Sequence, residues 1–385
     1  MKKGIIFIAI ITIALSARGI QAQTTEATRE RLGRDPRHHV AQQVDAAVST
    51  DRFLWKMVMP WTKDLLFYDV AVHFCDSVRL ASAGRLDITP FSAGELVPAM
   101  QSFDAVSKGI VEAGHDWPGY WKGKNEAFVA FASVPFGLDA EGYNIWLYER
   151  GGLALLQELY GQYELHALPA GQMGQEMGFF SNKRATKMED FAGLRVRTVG
   201  WYMDILTKIG VIVSPLPGGE ILSALKQNLI DAAEFSAPAM NYSIQMDTVA
   251  KYVIQPGVHQ PGTQCTVFFN QDAWQRLPED LQWIVRLAAK ETQLWSYGWI
   301  NNLNADAIRE YQQRLEIVSM DTETMIEFRK TTREYLEELK QQYPDVQKVL
   351  DSQEAFIEAY ESWRTVRSGV TPWSYDTYIS GQTSE

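Results

Sequence analysis

The stretch that decides the fold is residues 194–235, LRVRTVGWYMDILTKIGVIVSPLPGGEILSALKQNLIDAAEF. Three short apolar runs alternate here with two segments whose apolar residues recur at helical spacing. Such alternation is typical of strand–helix–strand units, which place parallel strands in one sheet. The predicted strands are 194–199, 212–216 and 229–235, and the predicted helices are 202–209 and 220–227. This stretch therefore predicts α/β layers with a mostly parallel sheet.

The same alternation continues on both sides of this stretch. Further strands are predicted at 53–61, 86–91, 110–113, 127–135 and 265–269. Further helices are predicted at 69–82, 98–108 and 140–160. From residue 278 onward the pattern becomes almost entirely helical, at 278–289, 303–315, 322–342 and 345–366. We therefore expect two α/β lobes followed by a helical C-terminal section.

Composition limits the class of protein. The 385 residues are 46% hydrophobic and 22% charged, which indicates a globular protein with a large core. The net charge of −11 argues against a nucleic-acid binder, because such proteins usually carry a basic face. The two cysteines, Cys75 and Cys265, could form one bridge, but two buried thiols are favoured because free cysteine is often buried.

The N-terminus has the layout of a secretory signal. Residues 1–22 combine Lys2 and Lys3, an apolar run and small residues ending at Ala22. This pattern predicts a cleaved signal peptide and export to the periplasm, with an uncleaved anchor as the alternative. Residues 23–50 are expected to be a polar lead-in, in which His38 and His39 are more simply solvated than metal-binding.

Sequence motifs of the common enzyme classes are absent. The chain has no G-x-S-x-G elbow, no H-E-x-x-H, no Walker loop and no G-x-G-x-x-G fingerprint. The six histidines are scattered, and His115 and His259 lie beside turn-forming residues, which favours a turn or rim role. The sequence therefore favours a binding protein over an enzyme.

Two segments instead indicate a small-molecule pocket. Residues 115–124, HDWPGYWKGK, place three aromatic residues among turn formers, which suits a pocket wall. In the predicted strand 194–199, alternation puts Arg195 and Arg197 on one face. An arginine at the end of a strand presents a rigid two-pronged donor to a carboxylate. The alternative is that both arginines are ordinary surface residues.

The chain resembles the solute-binding subunit of tripartite ATP-independent periplasmic (TRAP) transporters, the DctP family, in the branch that binds 2-oxo and 2-hydroxy monocarboxylates. The resemblance covers about residues 53–379. It is carried by ordered short motifs at 55–57, 92–97, 103–109, 113–115, 120–124, 134–138, 151–160, 169–171, 193–197, 218–221, 231–234, 250–252, 256–257, 261–263 and 274–278.

This resemblance implies a two-lobed periplasmic-binding-protein fold with hinge strands, a long connecting helix and a helical C-terminal extension. Lobe I would comprise residues 53–143 and 240–272, and lobe II residues 144–239. Residues 273–385 would form the long connecting helix and the C-terminal helices. The C-terminal aromatics, Trp363 and those of 373–379, resemble a branch that forms a homodimer through a swapped helix; packing on their own chain is the alternative.

The resemblance also implies the site residues. Arg197 would pair with the ligand carboxylate, and Tyr120 and Trp121 would line the pocket. A cation would be held by Glu176, Glu234 and the backbone carbonyl of Phe235.

Two positions depart from the family pattern. The resemblance places the family's ligand-contacting asparagine at Gln172, which would meet the 2-oxygen of the ligand, and its cation-holding glutamine at Glu176. When two carboxylates lie close together, either they bind a cation or the pKa of one of them is raised. More ligand charge favours calcium over sodium, so calcium is expected and sodium is the alternative. Glu176 could instead meet an amine or hydroxyl of another ligand, or become protonated.

The resemblance predicts a receptor that captures pyruvate, lactate or a similar acid and delivers it to the small and large TRAP membrane subunits. One alternative is a periplasmic sensor that feeds a signalling kinase. A second is a hydrolase that uses Glu176 and Glu234 as paired carboxylates.

Overall fold

Two separate β-sheets organise the protein. The structure is a computed structural model and describes residues 51–367; the expected signal peptide, the polar lead-in and the aromatics of 373–379 lie outside the described residues. The strands are β1 Phe53–Val58, β2 Leu86–Phe91, β3 Ala113–Asp116, β4 Leu165–Gly174, β5 Phe179–Ser181, β6 Arg195–Arg197, β7 Ile212–Ser214, β8 Ala232–Ala233, β9 Tyr252–Gln255, β10 Thr263–Asn270 and β11 Glu316–Ser319.

Thirteen α-helices are found within residues 51–367. They are α1 Leu66–Ala81, α2 Ser102–Ser107, α3 Phe128–Ala132, α4 Ala140–Glu149, α5 Gly152–Gly161, α6 Met188–Phe191, α7 Tyr202–Lys208, α8 Ile221–Lys226, α9 Pro238–Ser243, α10 Gln271–Arg276, α11 Glu279–Arg314, α12 Thr322–Gln342 and α13 Pro344–Arg367. The expected two-lobed α/β fold is confirmed.

The first sheet has the strand order β2-β1-β3-β10-β4. β1 runs parallel to β2 and β3, whereas β10 runs antiparallel to both β3 and β4. Nearly every residue of β4 and β10 is buried, including polar residues such as Gln172, Thr263 and Gln264, so both faces of these strands are covered. Because these two strands pair with each other, the C-terminal end of β4 lies beside the start of β10, where Gln172 is paired with Gln264.

The second sheet has the order β11-β9-β5-β8-β6-β7. β6 runs parallel to both β7 and β8, as the alternation in residues 194–235 predicted. The carboxyl ends of parallel neighbours meet at one edge of a sheet. Arg197, the last residue of β6, is therefore brought beside the residues that follow β8, beginning with Glu234.

The helix α11 is a rod of 36 residues, about 54 Å long at 1.5 Å per residue. It packs along β4, α1 and α9. Its polar residues accept hydrogen bonds from the end of β4: Gln293 Oε1 from the amide of Gly171 at 2.8 Å, and Ser296 Oγ from the amide of Gln172 at 2.9 Å. The helices predicted at 278–289 and 303–315 are thus parts of one continuous helix.

Other local predictions need correction. The apolar run 127–135 was predicted as a strand, but its buried residues form the short helix α3, because residues of an apolar run can be buried equally well in either conformation. Leu165–Gly174, inside the expected lobe II range, pairs within the first sheet, and Tyr252–Gln255, inside the expected lobe I range, pairs within the second.

Both cysteines are free and buried, so the favoured prediction of two buried thiols is confirmed. The Sγ of Cys75 lies 3.7 Å from the Sδ of Met57. Burial raises the pKa of both thiols well above its usual range, which makes them poorly reactive. Across residues 51–367, no helix combines the length and the apolar character needed to cross a bilayer.

Candidate functional site

Arg197 is a buried cation at the carboxyl end of β6, and its side chain is 1% exposed. Its Nη1 donates to the backbone carbonyl of Glu234 at 2.8 Å and lies 3.2 Å from Oε1 of the same residue. Its Nε donates to the carbonyl of Leu216 at 3.0 Å. Among residues 51–367, its Nη2 has no hydrogen-bond acceptor, so this end of the guanidinium remains available to a ligand.

His259 lies between two buried carboxylates. Its Nε2 is 3.2 Å from Oε2 of Glu176 and 3.4 Å from Oε2 of Glu234. One ligand atom from each of these three side chains lies within 4.8 Å of the other two. The longer contact is not a hydrogen bond, and Oε2 of Glu234 has no donor among the described residues. A buried carboxylate oxygen without a donor is costly, and a cation would satisfy it.

The loop that carries His259 is fixed by close contact with the chain around Glu176. The amide of Glu176 donates to the carbonyl of Gln260 at 3.0 Å. A Cβ added to Gly257 would lie 2.3 Å from the carbonyl oxygen of Glu176, so the two backbones could not approach this closely with a larger residue. The ring of Tyr202 stacks on the imidazole, with centroids 5.1 Å apart.

Glu176 follows the end of β4 and is 3% exposed. The hydroxyl of Thr263, the first residue of β10, donates to its Oε1 at 2.7 Å. Nearby on β4, Gln172 is fully buried, and its Oε1 accepts a hydrogen bond from the amide of Gly174 at 2.8 Å. The Nε2 of Gln172 has no partner within the described chain. It is therefore a second buried donor, besides Arg197, that a ligand could satisfy.

The electrostatic environments of the three ionisable groups differ. Burial raises the pKa of Glu176, and its contact with His259 opposes only part of the rise. Burial acts in the same direction on Glu234, but the adjacent charge of Arg197, together with His259, outweighs it and lowers the pKa of that carboxyl. For His259, burial favours the neutral form, yet the contacts with both carboxylates raise its pKa to about 9.

The aromatic residues predicted for the pocket separate in the structure. Tyr120 is partly exposed; burial of its hydroxyl raises its pKa to about 12, and the nearby charge of Arg197 opposes part of that rise. The ring of Phe235 lies 5.6 Å from Cζ of Arg197. Trp121 instead donates from Nε1 to Oδ2 of Asp116 at 2.5 Å and lies in a buried hydrophobic cluster with Phe103.

The structure therefore brings together five of the predicted residues, namely Arg197, Glu234, Glu176, Phe235 and Tyr120. Gln172 lies on β4, the strand that precedes Glu176, and its amide nitrogen has no partner among residues 51–367. Trp121 does not join this cluster.

The residue at the centre of the site, His259, was not among the predicted site residues. His259 was predicted to lie at a turn or rim, but it is 3% exposed and contacts both carboxylates; His115, given the same role, is fully buried and contacts the carbonyl of Ala170 at 2.6 Å. One signal was present: His259 stands between two motifs of the resemblance, 256–257 and 261–263. A polar residue held between two such turns was a candidate for the site.

Known proteins resemble this chain over most of the residues that the structure describes. The DctP family, described as bacterial extracellular solute-binding protein family 7, matches residues 57–342. A monocarboxylate 2-oxoacid-binding periplasmic protein of Nostoc sp. is 34% identical over 333 residues, covering 85% of this chain and 89% of that protein.

Two solved structures are also similar. A TRAP transporter solute-binding protein from Bordetella bronchiseptica, a dimer with calcium and picolinate in one active site and an apo site in the other, has a TM-score of 0.81 at 29% identity, covering 86% of this chain and 99% of that one. A TRAP solute-binding protein from Pseudoalteromonas atlantica, with sodium and pyruvate bound, has a TM-score of 0.79 at 28% identity, covering 86% and 100%.

These relatives are solute-binding receptors, which confirms that the chain is not an enzyme and removes the hydrolase alternative. The chain belongs to the DctP family of bacterial extracellular solute-binding proteins.

Proposed function

We propose that this protein is the periplasmic receptor of a TRAP transporter, and that it captures a 2-oxo or 2-hydroxy monocarboxylate such as pyruvate or lactate together with a cation. The observation that carries the proposal is the fully buried guanidinium of Arg197, whose Nη2 has no acceptor in the described chain. A charged donor fixed in this way pairs strongly with a carboxylate. The relatives that bind 2-oxo acids support the same ligand class.

The neighbouring groups give each part of such an acid a partner. Nη2 of Arg197 would pair with the carboxylate, and the unpaired Nε2 of Gln172 would donate to the 2-oxygen. Tyr120 would bound the side-chain end of the pocket, as a partly exposed aromatic beside Arg197. A ligand that lacks the 2-oxygen leaves the buried amide of Gln172 unsatisfied and should bind less tightly.

The donor set also fits a cation. Glu176 and Glu234 supply carboxylate oxygens, and the carbonyl of Phe235 is the proposed third oxygen ligand. Oε2 of Glu234 has no hydrogen-bond donor in the described chain, which leaves it able to coordinate a cation. A bound cation would supply positive charge that offsets the two carboxylates, so that an anionic ligand could enter beside them.

Delivery would follow export and closure. We propose that residues 1–22 direct export to the periplasm, and that ligand contacts made from both sheets favour the closed form, which the small and large membrane subunits recognise. Trp363, on α13, is 55% exposed and is a candidate contact for a homodimer.

The test is a matched set of acids on purified mature protein. Pyruvate and lactate are compared with propionate, which has the same carbon skeleton without the 2-oxygen, by isothermal titration and thermal shift. Pyruvate at about 100 times its dissociation constant should add about 2.7 kcal/mol to the free energy of unfolding. Propionate should bind at least tenfold more weakly than pyruvate.

Reconstitution with the TRAP membrane subunits separates the receptor from the sensor alternative, because only the receptor supports pyruvate uptake. The proposal fails if none of these acids binds, or if propionate binds as tightly as pyruvate and lactate. Chemical conversion of the bound acid by the purified protein would also contradict it.

A further inference from the structure

We propose a second ligand site, formed by two adjoining cavities between the C-terminal helices α12 and α13, the chain at 134–142 and the loop 256–261. Its ligand is a carboxylate with an apolar chain, of the kind that a medium-chain fatty acid offers. This inference goes beyond the proposed function, because none of the residues assigned to the transported acid lines either cavity.

The larger cavity, called here the arginine cavity, has a volume of about 390 Å³, which is within the range of small-molecule sites. It lies between the loop 256–261, the start of α4 and side chains of α12 and α13. Its charged lining residues are Arg329, Arg364, Arg367, Asp139 and Glu141. Three cations against two carboxylates give a local positive charge, in contrast to the net charge of −11 of the whole chain. This contrast indicates an anionic ligand.

Two of the three arginines are available to a ligand. Arg367 is already paired, since its Nη1 and Nη2 donate to the two oxygens of Glu141 at 2.6 Å and 2.5 Å. Nη1 of Arg364 lies 3.8 Å from Oε2 of Glu361, which is beyond hydrogen-bond distance. Arg329 is exposed and has no carboxylate partner among residues 51–367. The planar fork of such a guanidinium matches a carboxylate.

A smaller cavity of about 220 Å³, called here the apolar cavity, adjoins the arginine cavity. The residues that line both cavities are Phe136, Gly137, Arg329 and Ile357. Cζ of Arg329 lies 5.1 Å from the centre of the Phe136 ring, so the free guanidinium stands where the two cavities meet. An acid whose carboxylate pairs with Arg329 therefore has room for its chain in the apolar cavity.

The lining of the apolar cavity fits both parts of such an acid. Its walls include the side chains of Val134, Pro135, Leu336 and Leu350. Thr332 also lines it, one helical turn from Arg329; this residue is 2% exposed, and its hydroxyl has no partner among the described residues. A carboxylate on Arg329 would supply the acceptor that this hydroxyl lacks. The two acids of the cavity, Glu337 and Glu354, lie 3.8 Å and 2.8 Å from Nζ of Lys340 and so already have a counter-charge.

The second site shares a loop with the Arg197 site. The loop residues that line the arginine cavity are Pro256, Gly257, Val258 and Pro261. His259 of the same loop contacts both carboxylates of the Arg197 site. The amide of Phe136 donates to the carbonyl of Val258 at 2.9 Å, which joins the loop to the wall that the two cavities share. Two ligands that stabilise the same conformation of this loop raise each other's affinity by the same factor.

The experiment titrates octanoate into the purified mature protein by calorimetry, in the presence of saturating pyruvate. Octanoate should bind with one-to-one stoichiometry under these conditions, because pyruvate occupies the Arg197 site and not the second site. Octan-1-ol lacks the carboxylate and acetate lacks the chain, so each should bind at least tenfold more weakly than octanoate. In the reverse titration, bound octanoate should raise the affinity for pyruvate at least twofold.

The decisive variant is Arg329→Gln, which removes an exposed charge outside the Arg197 site. Octanoate affinity should fall at least fivefold, while pyruvate affinity measured without octanoate should stay within twofold. Lys330→Gln is the matched control, because it removes the same charge from the next residue, which lines neither cavity and lies 3.7 Å from Glu327. It should bind octanoate as the wild type does. Ile357→Trp fills the space where the cavities meet and should abolish octanoate binding while pyruvate still binds.

The contrary outcomes are distinct. Displacement of octanoate by pyruvate would place octanoate at Arg197 and overturn the second site. Equal octanoate affinity in the wild type and Arg329→Gln, or octan-1-ol binding as tight as that of octanoate, would do the same. A pyruvate affinity that octanoate leaves unchanged would overturn the link through the loop 256–261. A protein that binds octanoate through Arg329 but binds no 2-oxo acid supports this inference and contradicts the proposed function.

Discussion

Glu234 and Glu176 contact the same imidazole, but they lie in different halves of the site. Glu234 follows a strand of the second sheet and lies beside Arg197, a permanent cation. Glu176 follows β4 of the first sheet, and apart from His259 its partner is the neutral hydroxyl of Thr263. Both are buried, yet the pKa of Glu234 is lowered and that of Glu176 is raised. Burial alone therefore does not decide the charge of a carboxyl group; a fixed cation beside it does.

The largest expected effect comes from removing that fixed cation. Arg197→Ala takes away the proposed partner of the ligand carboxylate and leaves Glu234 buried without its counter-charge. Breaking a buried ion pair from one side costs about 3–5 kcal/mol, so pyruvate binding should weaken more than a hundredfold and the urea midpoint should fall. Calorimetry and urea unfolding measure the two effects.

Arg197→Lys is the matched control, since it keeps the charge but loses the planar fork. It should preserve more of the stability than of the affinity. If Arg197→Ala bound pyruvate within threefold of the wild type, the difference between the two halves of the site would have no functional meaning.

The next effect tests the two carboxylates directly. Glu234→Gln leaves the buried Arg197 without its charged partner and should cost about 3 kcal/mol of unfolding free energy. Glu176→Gln removes a charge that burial already disfavours, so its cost should be below about 1 kcal/mol, and it restores the amide expected from the family pattern. Urea unfolding of the metal-free proteins gives both values.

Equal losses of stability in Glu234→Gln and Glu176→Gln would show that the two halves are equivalent. A larger loss in Glu176→Gln would reverse the comparison.

A third change tests the close backbone contact between Gly257 and Glu176, which holds the loop of His259 against the end of β4. In Gly257→Ala, the new Cβ would lie 2.3 Å from the carbonyl oxygen of Glu176, so the chain must move. Overpacking of this kind costs about 1–3 kcal/mol and should displace His259 with its loop. Thermal unfolding and calcium titration should both report the loss.

Gly219→Ala is its control, because the nearest atom, Oγ1 of Thr62, would be 3.7 Å from the added Cβ. A Gly257→Ala protein as stable as Gly219→Ala would mean that the close approach at Glu176 does not hold the loop.

The last change removes a single hydrogen bond whose donor is a neutral hydroxyl. Thr263→Val keeps the shape of the side chain but removes the hydroxyl that donates to Oε1 of Glu176. Such a bond contributes about 1 kcal/mol, and metal affinity should change by less than tenfold. Urea unfolding should show a loss of stability, and calcium titration a loss of affinity, between those of Gly219→Ala and Gly257→Ala. A loss of stability above that of Glu234→Gln would contradict the ranking.

The fold was predictable where one local rule was sufficient. The alternation in residues 194–235 gave strands β6, β7 and β8 in parallel, and the helix over 322–342 was predicted with the bounds that the structure has. The strands β4, β5, β9 and β11 were not predicted. β5, β9 and β11 have three or four residues, too few to show a period, and β4 is buried along nearly its whole length and so shows no alternation. Their pairing is decided by contacts distant in sequence.

The site shows the same limit. Arg197 was a candidate from its position at a strand end, and Glu176 and Glu234 followed from the family pattern. His259 could not be assigned from local sequence, because turn-forming neighbours predict exposure. Its burial results from the close contact between two loops 83 residues apart. Trp121 was predicted to line the pocket but packs into a hydrophobic cluster. An aromatic residue in a loop of this kind can be buried in the core as readily as it can line a pocket.

The pairing of β4 with β10 also affects how the protein unfolds. The ends of these strands carry Gln172 and Thr263, while Arg197 and Glu234 come from the other sheet, so neither sheet holds a complete site by itself. A ligand that binds only the complete site stabilises the assembly of both sheets as one unit. Calorimetry should therefore show the two lobes melting in a single transition when ligand is bound, even if they separate into two without it.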